Sequence, residues 1–153
     1  LYNKRVPGRS LHWDFQFVNK NTLEYDRSSI EADFKNLIKD LSLNNEIILV
    51  YPIPEIGRNL QKKKFENMVR VFNYKYSDFL KQNNEVINFF DSISFPKVHK
   101  VYPYKLFCSS DTDLCSTHND EHFFFFDGYH PSLEGSKMIN DLIINKVDEI
   151  KLN

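Results

Sequence analysis

Glycine is scarce in this chain, with 4 in 153 residues. Loops that cradle phosphates need several glycines so that the backbone can approach the anion. Neither G-x-G-x-x-G nor G-x-x-x-x-G-K-[ST] occurs, so the common Gly-rich nucleotide loops are excluded. Long apolar runs are lacking as well. The longest, at residues 47–51 and 123–126, are strand-sized and far short of the roughly 20 residues that cross a bilayer. Charge of one sign is not in excess, because 20 Lys and Arg face 21 Asp and Glu, leaving a net −1. An electrostatic nucleic-acid partner is therefore not expected. An initiator Met and a signal-peptide pattern are also missing. With Leu1 at its start, the sequence reads as a piece of something longer, processed or cut.

What is present suits folding. Hydrophobic residues make up 41% and aromatic residues 15%, enough for collapse. The length predicts one domain over residues 1–153, able to bury about two-thirds of its unfolded surface. Ser28 and Glu31 form an S-x-x-E capping box, and Ile30, Phe34, Leu37, Ile38 and Leu41 follow on one helical face, ended by Asn44-Asn45. Residues 46–51 predict a strand buried on both sides, as in a parallel sheet, stopped by Pro52 and Pro54. Phe65, Met68, Val69 and Phe72 predict a helix over 59–82, with a further short element at 85–90. Residues 98–101 read as a weak strand, 108–122 as a polar, turn-rich stretch and 123–126 as another strand. Ser132 then caps a last helix carrying Met138, Ile139, Leu142, Ile143 and Val147. This alternation predicts an α/β sandwich with a mostly parallel sheet. Ligands in such sheets sit at the carboxyl ends of the strands, which points to the loops after Tyr51 and Phe126.

The second of these loops holds the sharpest chemical signal, Asp127-Gly128-Tyr129-His130-Pro131-Ser132. Acyl transfer needs a base near neutral pKa to take a hydroxyl proton, and a carboxylate to orient that base. A D-x-x-H turn supplies both. The competing reading is a surface Asp and His in an ordinary strand-to-helix loop. Elsewhere, His118-Asn119-Asp120-Glu121-His122 fits H-x-x-E-H, which binds zinc only with both histidines on one helix face. The Ser, Thr, Asp and Asn around it favour turns instead. Cys108 and Cys115 stay open as a disulfide, as free thiols, or as zinc ligands with His118 and His122. Trp13 and the Tyr- and Phe-rich stretches read as core rather than as a sugar cleft.

The string FFFFDGYHPSLEGSKMINDLI resembles the C-terminal block of SGNH hydrolases, and EIILVYPIPEIGRN resembles the strand and Pro-rich loop before it in one branch. That branch is the SGNH domain at the C-terminus of multi-spanning membrane acyltransferases that O-acetylate surface polysaccharides. The resemblance covers roughly residues 28–147. It implies a three-layer α/β/α sandwich of SGNH, flavodoxin-like type, with the N-terminal strand missing from this piece. It implies His130 as general base and Asp127 as its partner. The family's G-D-S nucleophile block has no match here. Gly8-Arg9-Ser10-Leu11 is a near miss with Arg for Asp, so the serine is expected upstream of Leu1 and this piece alone is expected to be inactive. Gly57-Arg58-Asn59 resembles the oxyanion-hole block but stands after the wrong strand, and Arg5, with Arg9 behind it, is the better positional match for an arginine found there in this branch. The resemblance also implies an extracytoplasmic, periplasmic or cell-surface location, tethered by an upstream membrane region, and with it a Cys108–Cys115 disulfide. The implied partners are a carbohydrate acceptor and an acyl donor delivered by the fused membrane domain, with no metal and no cofactor. A free-standing SGNH esterase and a non-catalytic carbohydrate- or protein-binding domain are the alternatives.

Overall fold

In the computed structural model, residues 27–55 and 74–152 are described. The chain divides into two units, Leu1–Leu37 and Ile38–Asn153, with the division inside the first helix, α1 (Arg27–Ser42). In the first unit, Arg27 Nε donates to Glu31 Oε1 at 2.5 Å. Ser28 lies within the helix, and Glu31 pairs with Arg27 one turn back.

In the second unit, α1 closes as its sequence suggests. Ser42 Oγ donates to the Lys39 carbonyl and Asn45 Nδ2 to the Leu41 carbonyl. Ile38 of the expected face is buried, with Ser42 one turn on, while Leu41 at the edge of that face is exposed.

The strand β1 (Ile47–Val50) pairs in parallel with β3 (Val98–Val101), Ile47 opposite Val98 and Val50 opposite Val101. Tyr51 extends the pairing by donating to the Val101 carbonyl at 3.0 Å. Leu49 is buried but Val50 is 42% exposed, so β1 is not covered on both sides as its apolar run predicts.

Residues 56–73 lie outside the described residues, and with them Phe65, Met68, Val69 and Phe72 of the expected 59–82 helix. The chain is described again from a two-residue strand, β2 (Tyr74–Lys75), which leads into α2 (Tyr76–Asp91), and α2 absorbs the short element expected at 85–90. The start of α2 is set from a distance. Asp113 Oδ1 and Oδ2 accept from the Ser77 amide and hydroxyl at 2.7 and 2.9 Å, and its carbonyl accepts from the Tyr76 amide. Asp113 thus caps a helix 36 residues earlier in the chain. It does so with φ at 53°, a conformation that Asp and Asn tolerate better than most residues. Those two Ser77 hydrogen bonds, the amide first, hold its carboxyl below the usual range.

After Pro103, α3 (Tyr104–Phe107) is a single turn. It leads into a tight hairpin of β4 (Cys108–Ser109) and β5 (Leu114–Cys115), and β2 joins to give the antiparallel order β2-β5-β4. Cys108 and Cys115 stand opposite one another and are disulfide-bonded. The last helix, α4 (Leu133–Leu152), turns Met138, Ile139, Leu142, Ile143 and Val147 to its half-buried face as expected.

The described residues are therefore α/β. Their strands form one parallel pair and one small antiparallel sheet, not the expected three-layer, mostly parallel sandwich. The strand expected at 123–126 is not regular either. Among the described residues it carries the isolated bridges His118–Phe123 and Phe125–Pro131. Burial holds it in place. Phe124 and Phe125 pack on Phe107, with ring centroids 5.7 and 5.1 Å away, in a cluster that includes the disulfide and is flanked by Met138 and Ile139 of α4.

Candidate active site

The segment 123–126 and the start of α4 hold the D-x-x-H loop between them. Phe124 donates to the Thr117 carbonyl and accepts from the Ser132 amide, each at 2.9 Å, and Phe126 donates to the His130 carbonyl at 2.8 Å. Ser132 is doubly used. Its hydroxyl donates to the Phe123 carbonyl and accepts from the Gly135 amide at 3.1 Å, so one side chain caps α4 and ties it to the phenylalanine segment. Gly135 is buried, and a Cβ there would lie 2.0 Å from the Phe124 carbonyl oxygen. Only glycine lets the first turn of α4 come so close to that backbone.

Inside this clasp the loop folds on the Asp127 side chain. Oδ1 accepts from the amides of Tyr129 and His130 at 2.7 and 2.8 Å, and Oδ2 meets His130 Nδ1 at 2.8 Å. The histidine contact, then the Tyr129 amide, hold the Asp127 carboxyl below its usual range, against a smaller opposing effect of burial. A carboxylate on Nδ1 assigns the ring proton to that nitrogen and leaves the Nε2 lone pair free to accept. The imidazole is 74% exposed, so Nε2 is open to an incoming substrate. Asp127 and His130 are therefore joined within one turn, with the ring oriented by the carboxylate.

The remaining candidates divide. Cys108 and Cys115 are joined, and since they bond to each other they supply no thiolates for a site with His118 and His122. The H-x-x-E-H string is a turn rather than a helix. Asn119 Oδ1 accepts from the amides of Glu121 and His122, and the histidines do not share a helix face. Arg5, Arg9, Ser10, Trp13 and the Gly57-Arg58-Asn59 string lie outside the described residues. Two residues that shape the chain, Gly135 at the site and Asp113 at the start of α2, carry almost no sequence signal. Gly135 is one of four glycines, and only the nearness of Phe124 shows its purpose. Asp113 is one acid in a polar stretch until α2 arrives beside it.

No helix among the described residues is long and apolar enough to cross a membrane. No curated protein and no solved structure matches the chain. A family model described as "SGNH domain (fused to AT3 domains)" matches residues 7–145, with the Asp127–His130 pair inside the match, and the chain belongs to this acyltransferase-linked SGNH family.

Proposed function

We propose that this chain is the extracytoplasmic catalytic domain of a membrane-tethered O-acyltransferase that moves an acyl group, most simply acetyl, onto a hydroxyl of a cell-surface polysaccharide. The observation that carries the proposal is the hydrogen bond of 2.8 Å from His130 Nδ1 to Asp127 Oδ2, in a chain matched by the SGNH family over residues 7–145. The nucleophile would be a serine outside the described residues.

In the first half-reaction, His130 Nε2 accepts the serine hydroxyl proton as the oxygen attacks the acyl carbonyl of the donor. The tetrahedral intermediate collapses, the bond to the donor's leaving group breaks, and His130 returns the proton to that group. In the second half, a carbohydrate hydroxyl loses its proton to Nε2 as it attacks the acyl-serine. Collapse expels the serine oxygen, which recovers the proton. Asp127 keeps Nδ1–H in place and stabilises each imidazolium as it forms. No cofactor takes part in this scheme. An esterase would differ only in letting water take the place of the sugar hydroxyl.

The test is acyl release from p-nitrophenyl acetate by the full-length protein and its His130→Ala variant. General acid–base catalysis contributes about 10²- to 10⁴-fold, so the variant should lose at least about a hundredfold in rate. Equal rates in the two proteins remove His130 from the chemistry and leave a binding domain of the same fold.

A further inference from the structure

The phenylalanine run is divided by burial. Phe125 is fully buried and Phe124 nearly so, but Phe126 is 60% exposed. Burying that ring would be favourable, and the fold forgoes that gain. A single exposed aromatic is common and needs no explanation by itself. Its place in the backbone pairing is what gives it meaning.

Phe125 bridges Pro131, Ser132 donates to the Phe124 carbonyl, and Phe126 donates to the His130 carbonyl. These three contacts share one antiparallel register, and in it Phe126 stands directly opposite His130. Side chains of directly opposed residues project to the same side, with Cβ atoms about 5 Å apart. Both side chains here are open to solvent. The imidazole is held by Asp127 through Nδ1, and the exposed Phe126 ring projects from the same side of this register.

We infer that Phe126 is the acceptor-binding residue of this site, its ring stacking against the C–H face of a pyranose whose hydroxyl is presented to His130 Nε2. The inference rests on the acyltransferase reading and deepens it. A pyranose has one apolar C–H face and a polar edge, which fits an aromatic ring next to a proton acceptor. Stacking on the ring would supply contact area, and the hydrogen bond to Nε2 would supply direction.

The experiment uses the full-length protein with p-nitrophenyl acetate as donor and the source cells' own surface polysaccharide, stripped of its esters by mild alkali, as acceptor. The KM for polysaccharide is measured for wild type, Phe126→Ala, Phe126→Leu and Phe126→Trp, with His130→Ala alongside. Loss of one aromatic contact should raise KM about tenfold in the Ala variant. The Leu variant keeps apolar volume without a π face and should stay impaired, and the Trp variant should recover wild-type KM. An unchanged KM in Phe126→Ala overturns the inference. So does a change confined to the preferred chain length of p-nitrophenyl esters, which would put Phe126 on the acyl side. If wild type and His130→Ala transfer equally, the acyltransferase reading itself fails, and the assignment of Phe126 falls with it.

Discussion

Replacing Gly135 with alanine tests the closest backbone approach in the candidate site. The added methyl would sit 2.0 Å from the Phe124 carbonyl oxygen, where real Cβ atoms are not found under 3.0 Å. The obstacle is backbone, so it cannot swing aside as a flexible side chain could. Either α4 or the phenylalanine segment must retreat by about an ångström. That retreat breaks the Ser132-to-Phe124 hydrogen bond and strains the hydroxyl bond from Ser132 to Phe123. Overpacking costs about 1–3 kcal/mol and each lost hydrogen bond about 1 kcal/mol. Alanine returns about 1 kcal/mol of helix propensity. The net expectation is a loss of about 1–3 kcal/mol, which for a chain of this length lowers Tm by roughly 2–12 °C. Urea unfolding followed by circular dichroism, with a thermal scan beside it, measures both. Activity should fall with stability, because the clasp that moves carries the loop between Phe126 and His130. A Gly135→Ala protein as stable as wild type, or more so, would show that helix propensity acts unopposed and that the close approach to Phe124 is not there.

The same geometry sets further outcomes. Asp127→Asn can still accept the Tyr129 and His130 amides while its amide nitrogen opposes Nδ1–H, so p-nitrophenyl acetate turnover should fall about 10⁴-fold with little change in Tm. The Cys108→Ser, Cys115→Ser double variant should lose roughly 2.5 kcal/mol in urea titration, the chain-entropy value for so short a loop. Asp113→Ala should lower Tm and speed amide exchange in the first turn of α2, which loses its cap. Asp113 and Asp127 both have depressed carboxyl pKa values. Their contribution to stability is therefore full above the ordinary carboxylate range and is lost as pH falls through their folded values. Carboxyl NMR titration should find both below a reference Asp, and an unshifted Asp127 would contradict its contact with His130.

Local chemistry is what the amino-acid order settles by itself. Asp127 and His130 are three residues apart, so one turn can bring them together, and their contact could be read from spacing. The Ser132 cap and the apolar face of α4 follow for the same reason, since each depends on neighbours within a turn or two. The tertiary structure decides whatever depends on groups far apart in sequence. Asp113 reaches back 36 residues to start α2, so the helical pattern around it could not reveal where that helix begins. Residues 123–126 look like a strand by composition, but in the fold they carry isolated bridges to His118 and Pro131 rather than a named strand. Val50 belongs to an apolar run and still lies open, because burial of a strand face depends on what packs over it. Gly135 is the sharpest case. Its identity is set by a carbonyl eleven residues away, and only folding brings that oxygen to 2.0 Å from where a side chain would begin.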